Sequence, residues 1–405
     1  MVTKSNALRS FKHRNFRILY PANALSNIGT WTQRVAQDWL VLELTHNDPA
    51  NLGLVTAIQF LPALLLSLYG GLLADRFNKR KLLLLTNTGA GLSSVVLGLL
   101  VISHSVALWH VYALALLLGI FTAVDSPIRI SFTSELVGKD DLANAVSLNS
   151  ANFNAGRLIG PALSGFLIAN YGTGPSFLIN TATYVVMVAT LLVIRDKDLH
   201  ITSKPKRDSK LKEAFSYVLS RRDISLVMVM VFFTTTFGLN FQIFIALMAT
   251  HEFGFGAGEF GVLGSILAIG SLTGAVLAAR LEQHRTIKNI LRGATLFSIL
   301  LMISAYLPNP VIYACMLPLL GASVLLTLIS ANTYVQSNTD SKLRGRVMGI
   351  YLMIFMGGTP LGSPLVGGLA SWIGIRGTIL CCGVVVLVAA LVVRKFYKDF
   401  RSTGK

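Results

Sequence analysis

Charge and cysteine are what this chain has least of. Only 13% of its 405 residues are charged, against roughly 25% in an ordinary soluble domain. Acidic residues number 18 and basic ones 35. The cysteines, Cys315, Cys381 and Cys382, all fall inside long apolar runs, where they make neither a disulfide framework nor a zinc spacing. The seven histidines are scattered, so no metal site is read. A G-x-x-x-x-G-K-[ST] loop is missing, which removes ATP as the direct energy source. No nucleophile–base cluster or serine elbow is found at membrane depth, so a membrane enzyme or receptor is the weakest reading and no enzyme activity is expected. The start lacks a short apolar region followed by a small-residue cleavage site, and no cleaved signal peptide is expected.

Apolar sequence is what the chain has in excess: 53% of residues are hydrophobic. A bilayer core takes about 20 apolar residues per helix. Twelve stretches of that kind are drawn at 16–44, 51–74, 82–103, 108–134, 142–170, 175–195, 224–250, 259–280, 287–307, 309–336, 344–371 and 374–394. Lys and Arg occupy alternate gaps. None lies in 45–51, 103–109 or 170–176, whereas the second gap holds Arg76, Lys79, Arg80 and Lys81 and the fourth holds Lys139. Arg376 is the single exception on the outer side. The positive-inside rule then puts both termini in the cytoplasm of a bacterial-type inner membrane. The net charge of +17 is explained by topology, and no basic, aromatic-laced surface remains for nucleic acid. Lys4, Arg9, Lys12, Arg14 and Arg17 precede or open the first span and predict a basic amphipathic helix on the membrane surface.

The sixth gap, 196–223, is the one long connection and carries eight basic residues. It divides the chain into 1–195 and 224–405, with a surface helix expected at 211–219 from its apolar spacing. The halves are related: Gly156, Gly160, Gly165 and Gly172 recur as Gly358, Gly362, Gly367 and Gly374, each 202 residues on. The expected fold is an all-α membrane protein, twelve transmembrane helices in two pseudo-symmetric six-helix bundles. Parallel repeats of this kind belong to transporters whose site lies between the halves.

Between the second and third spans the chain reads Gly71-Leu-Leu-Ala-Asp75-Arg76-Phe-Asn78-Lys79-Arg80. This resembles the loop motif of the major facilitator superfamily, with Asn78 where that family has Gly. Asn tolerates left-handed backbone better than other non-Gly residues, so a tight turn is expected there. Asp75 is a carboxylate at a membrane edge beside Arg76 and Arg80, able to latch one conformation shut. The basic residues can equally serve only to hold the loop inside. The second half carries a degraded copy at 274–280.

The fifth span, Gly156-Arg157-Leu-Ile-Gly160-Pro161-Ala-Leu-Ser164-Gly165, resembles the antiporter motif of that superfamily's exporters. Ser164 replaces one glycine, and the upstream glycine of the longer pattern falls at Ser147. Four-residue glycine spacing lets helices pack backbone to backbone, and Pro161 bends its helix. Ordinary close packing would use the same residues. Further segments, among them Asp38-Trp39-Leu, Asp125-Ser-Pro127-Ile-Arg129 and Arg344-Gly345-Arg346, are similar to the drug and siderophore exporter branch, which includes the enterobactin exporter. The resemblance covers nearly the whole chain. It implies a major facilitator fold and a proton-driven antiporter of small amphipathic molecules, working by alternating access, with no cofactor beyond the proton gradient. Small-molecule substrate, protons and membrane lipids are the expected partners, and a monomer is expected. A symporter or a lipid transporter of the same fold is the alternative.

Charges inside a span are costly. Arg34 and Asp38 share a helix face at four-residue spacing, and so do Asp125 and Arg129. Arg157 lies near the middle of the fifth span. Burial disfavours the ionised carboxylate and a nearby Arg favours it, so an arginine that approaches or withdraws would switch proton capture and release. Asp38 and Asp125 are the candidate proton carriers and Arg34, Arg129 and Arg157 their charge partners. Static pairs that orient helices are the other reading. Gln33, Gln37 and Gln59 in the first half, with Asn240, Phe241, Asn332 and Gln336 in the second, are candidates for the cargo wall. An aromatic wall facing a charged one suits an amphipathic or cationic cargo.

Overall fold

The computed structural model describes residues 8–200, 211–280, 286–341 and 343–403; the side chains of 67, 68, 70–72, 74, 75, 211, 212 and 400–403 lie outside that description. The described residues are almost entirely helical and contain no strand. The helices are α1 (Arg14–Leu44), α2 (Pro49–Arg76), α3 (Lys79–Ile102), α4 (Leu108–Tyr171), α5 (Gly174–Val193), α6 (Leu211–Ser220), α7 (Arg222–Phe233), α8 (Phe241–Leu247), α9 (Ala257–Arg280), α10 (Ile287–Ala305), α11 (Pro310–Asn338) and α12 (Arg344–Thr403). Among the described residues, nine helical segments are long and apolar enough to cross a membrane.

Two helices are too long for one crossing. At about 1.5 Å per residue, the 64 residues of α4 would extend about three bilayer cores. Its backbone leaves helical geometry at Gly138, with φ 71° and ψ −177°, a conformation that suits glycine. The second limb of α4 ends at Gly172, with φ 77°. The 60-residue α12 breaks in the same way at Gly374, with φ 75° and ψ 168°.

The continuous helix expected at 224–250 is interrupted. After α7 come a π turn at Thr234–Gly238, a non-helical Leu239 and Asn240, α8, and a second π turn at Met248–Glu252. Thr234 and Thr235 donate back to the carbonyls of Met230 and Val231 at 2.8 and 2.9 Å, and Asn240 donates to the Thr236 carbonyl at 2.7 Å. Such bonds to the preceding turn compete with the backbone ladder and bend helices.

The structure falls into two compact units. The first is built from Met1–Leu44, Leu61–Lys206 and Ala257–Ser265, the second from Thr45–Phe60, Arg207–Gly256 and Ile266–Lys405. In the first, α1, α3, both limbs of α4 and α5 enclose a core that includes Phe16, Leu83, Ile128, Phe132 and Met187. In the second, Tyr313, Phe244, Phe297 and Tyr351 are the largest fully buried side chains.

The matched glycines hold matched positions. In the first unit, Gly156 lies against the Asn27 backbone and Gly160 against Trp31 and Thr32, so α1 and the second limb of α4 touch backbone to backbone. In the second unit, Gly358 and Gly362 lie against Thr235 and Thr236 of the π turn. The next pair repeats the pattern: Gly165 meets Gly261 in the first unit, and Gly367 meets Gly53 in the second. Helices without a hydrophobic drive between them gain from such close approach.

Candidate functional site

Asp125 sits in the middle of a saturated network. Its Oδ1 accepts from Arg129 Nε at 2.7 Å; its Oδ2 accepts from Thr86 Oγ1 and Asn87 Nδ2, both at 2.8 Å, and from a terminal nitrogen of Arg129 at 3.0 Å. Arg129 also donates to Asn23 Oδ1 at 2.5 Å and to Asn87 Oδ1 at 3.2 Å. Asn23 lies on α1, Thr86 and Asn87 on α3, and Asp125 and Arg129 on α4. Thr86, Asn87 and Asn23 are not among the candidates read from sequence. Their signal was present, since a polar amide inside an apolar run calls for a partner, but the partners stand 38 to 106 positions apart.

Asp38 is placed differently. It is 4% exposed, and its Oδ2 accepts no hydrogen bond from any described residue. Arg34, one turn earlier on α1, supplies the positive charge that acts on it. The Arg34 guanidinium also lies 4.9 Å from the centre of the Trp31 ring. Arg157, on the second limb of α4, reaches the same ring at 5.9 Å. Arg157 thus shares Trp31 with Arg34 and makes no ion pair with Asp38 or Asp125. Phe153 meets the ring edge-on at 5.8 Å.

The candidate cargo residues divide. Gln33 is 2% exposed, and its Oε1 accepts from Ser94 and from Asn180, each at 2.5 Å; it knits α1 to α3 and α5. Gln37 and Gln59 are also buried, at 1% and 8% exposure. In the second unit, Asn240 and Phe241 are buried, Phe241 edge-on to Phe297 at 6.0 Å. Asn332 is partly buried and Gln336 exposed.

The side chains of Gly71 and Asp75 lie outside the described residues, and Arg76 is exposed. Asn78 does not take the left-handed turn expected of it. Its φ is −64° and ψ 115°, and its side chain accepts from the Lys81 backbone N–H at 3.1 Å, capping α3. An amide that caps a helix has no need of the glycine conformation. Arg80 donates to the carbonyls of Leu191 and Leu192 at 2.6 and 2.8 Å and to Asp196 at 2.9 Å. It therefore closes the C-terminal end of α5, where a cation is favoured. Lys79 pairs with Glu135.

The expected amphipathic helix at the start is, over its described part, a single 3-10 turn, Arg9–Lys12. Asp141, 1% exposed at its side chain, holds it: Arg9 pairs with one oxygen, while Lys12 and His13 reach the other at 2.7 Å. Ser10 adds bonds to Asn144 at 2.7 and 3.0 Å.

Comparison with known proteins agrees with this architecture. A family model described as transmembrane secretion effector matches residues 5–400. The staphyloferrin A transporter of Staphylococcus aureus is 26% identical over 93% of this chain and 94% of its own. The enterobactin exporter of Salmonella typhi is 23% identical over 89% of this chain and 86% of its own. Among solved structures, a bacterial homologue of the human lysosomal transporter Spinster superposes with a TM-score of 0.77 at 16% identity, over 98% of this chain and 99% of that one. A D-xylose–proton symporter superposes with a TM-score of 0.75 at 14% identity, over 95% and 98%.

Proposed function

This chain belongs to the transmembrane secretion effectors of the major facilitator superfamily, and on that premise we propose that it is a proton-coupled exporter of small amphipathic molecules. Its relatives include transporters and exporters of siderophores. The chain crosses the membrane twelve times: α4 and α12 each cross twice, and α1 crosses despite its polar face. Both termini lie in the cytoplasm of the inner membrane, and two six-helix halves alternate access to a shared site.

The observation that carries the coupling is the contrast between the two carboxylates. Asp125 accepts four hydrogen bonds, two of them from an arginine on its own helix, and so serves as a structural tie. Asp38 is buried with one oxygen that accepts no hydrogen bond from the described residues, and the charge of Arg34 acts on it. Such a group changes charge when Arg34 shifts toward or away from it. We assign the exchangeable proton to Asp38 and the switching charge to Arg34, with Asp125 and Arg129 fixing the helices around them.

The test uses purified protein in liposomes with an imposed proton gradient. Substrate-dependent proton flux and export are measured for wild type, Asp38→Asn and Asp125→Asn. Asp38→Asn is expected to abolish substrate-dependent proton flux while still folding. Wild-type coupling in Asp38→Asn overturns the assignment, and export unaffected by a protonophore overturns proton coupling altogether. Uptake into inside-out vesicles gives the direction and separates export from symport.

A further inference from the structure

Arg157 is a cation placed near the middle of a membrane-crossing limb with no counter-ion among the described residues. Among the described residues it makes no hydrogen bond and no ion pair; its one recorded partner is the face of Trp31. The other basic groups this deep are provided for. Arg129 has Asp125, Asn87 and Asn23, and Arg34 has Asp38 one turn away.

The position of Arg157 is built. Gly156 precedes it and Gly160 follows one turn later, and both lie on α1, at Asn27 and at Trp31 and Thr32. Thr32 donates to the Gly160 carbonyl at 3.3 Å, fastening the two helices. The close approach brings the Arg157 guanidinium to 5.9 Å from the centre of the Trp31 ring, which the Arg34 guanidinium also approaches at 4.9 Å. Two guanidiniums beside one ring repel each other. A charge at this depth without a partner costs several kcal/mol in any static picture, so a site kept this way is a receptor for a charge that arrives. An anion bridging the guanidiniums would cancel their repulsion, and a flat apolar body beside it would stack on Trp31 and Phe153.

We infer that Arg157, with Arg34 and Trp31, forms an oxyanion subsite, and that the cargo carries a carboxylate or a comparable oxyanion attached to an apolar or aromatic body. This narrows the exporter reading above and rests on it. It differs from the expectation of an amphipathic or cationic cargo, which was read from the phenylalanines of the second half, because here two cations flank an aromatic ring of the first half.

The experiment is equilibrium binding, with no gradient, to the full-length protein in uncharged micelles. The probe is 1-naphthoate, compared with 1-naphthamide, its neutral counterpart, and 1-naphthylmethylamine, its cationic one, read by quenching of tryptophan fluorescence and by calorimetry. Naphthoate is expected to bind saturably and about tenfold or more tighter than the amide, a charge-assisted hydrogen bond being the difference, with the amine weakest. Arg157→Gln is expected to erase the preference for the carboxylate. Arg157→Lys keeps a charge but loses the planar fork and is expected to retain part of the preference. Trp31→Phe is expected to weaken all three probes together.

Equal affinity for acid and amide in the wild type overturns the proposal, as does failure of naphthoate to bind. If Arg157→Gln does not fold, as judged by monodispersity and helical circular dichroism, the wild-type comparison and Arg157→Lys decide. Phosphatidylglycerol that displaces naphthoate from the micelle-bound protein would give the subsite to a lipid head group and overturn the cargo assignment. Because no gradient is applied, loss of proton coupling in liposomes and loss of anion preference here are separate outcomes.

Discussion

Arg129 grips Asp125 through two nitrogens, at 2.7 and 3.0 Å, from one turn along the same helix. The pair is then bolted to two other helices, through Asn23 on α1 and Thr86 and Asn87 on α3. A charged pair inside a helix is thus converted into a cross-brace, which is the reason for the different roles proposed for Asp125 and Asp38.

Removing one member of that brace is expected to be worse than removing both charges. Arg129→Leu leaves the partly buried Asp125 without its cation and is expected to cost on the order of 3 kcal/mol. Asp125→Asn combined with Arg129→Gln is expected to cost less. Thermal unfolding in detergent measures both, and additive losses would show that the residues do not act as a pair.

The glycine contacts predict a sharp positional contrast. A Cβ at Gly165 would stand 2.7 Å from the Ala257 carbonyl oxygen, against backbone that cannot yield cheaply. Gly165→Val is expected to cost about 1–3 kcal/mol or more and to lower the yield of folded protein. At Gly368 nothing lies within 4 Å of the same atom. Gly368→Ala is expected to leave the melting temperature unchanged or slightly raised, since alanine is the better helix former.

Asn78 gives a test of a departure from the family pattern. If its work is to cap α3, Asn78→Ala is expected to cost about 1 kcal/mol and Asn78→Gly only a few tenths. A glycine variant that is clearly more stable than the native protein would mean that the turn is strained.

The hold of Asp141 on the N-terminal turn is open to proteolysis. Arg9 and Lys12 are half exposed, and Asp141 is what fixes them. Asp141→Ala is expected to raise the rate of tryptic cleavage after Arg9 and Lys12 severalfold while leaving the rest of the chain resistant. Unchanged cleavage would show that Ser10 and its bonds to Asn144 suffice.

Much of the architecture was legible because the bilayer imposes it. An apolar run of the right length has to become a helix, since a membrane leaves no other way to satisfy its backbone. Of the glycine pairs 202 residues apart, three mark places where helices touch, while Gly172 and Gly374 have nothing within 4 Å and mark helix breaks at positive φ. The interruption around Thr234–Gly238 was harder to see. Three consecutive threonines in an apolar run look like a span, and nothing in their spacing marks the π turn that the structure places there. Gln33 was equally deceptive. A polar amide facing a cavity and one tied to Ser94 and Asn180 have the same one-letter neighbourhood.

What the sequence determined by itself was therefore everything that depends on length, period and the cost of exposing backbone to lipid: the positions of the helices, the basic gaps, and the glycines where close packing was allowed. Tertiary structure decided which charge meets which. Asp38, Asp125 and Arg157 carry comparable signals along the chain, yet one carboxylate is saturated, the other is left with an unmatched oxygen, and the arginine faces an indole. Partners that lie tens or hundreds of residues apart are chosen by how the helices pack, and the strength of a charge inside a membrane is set by those partners rather than by its place in the chain.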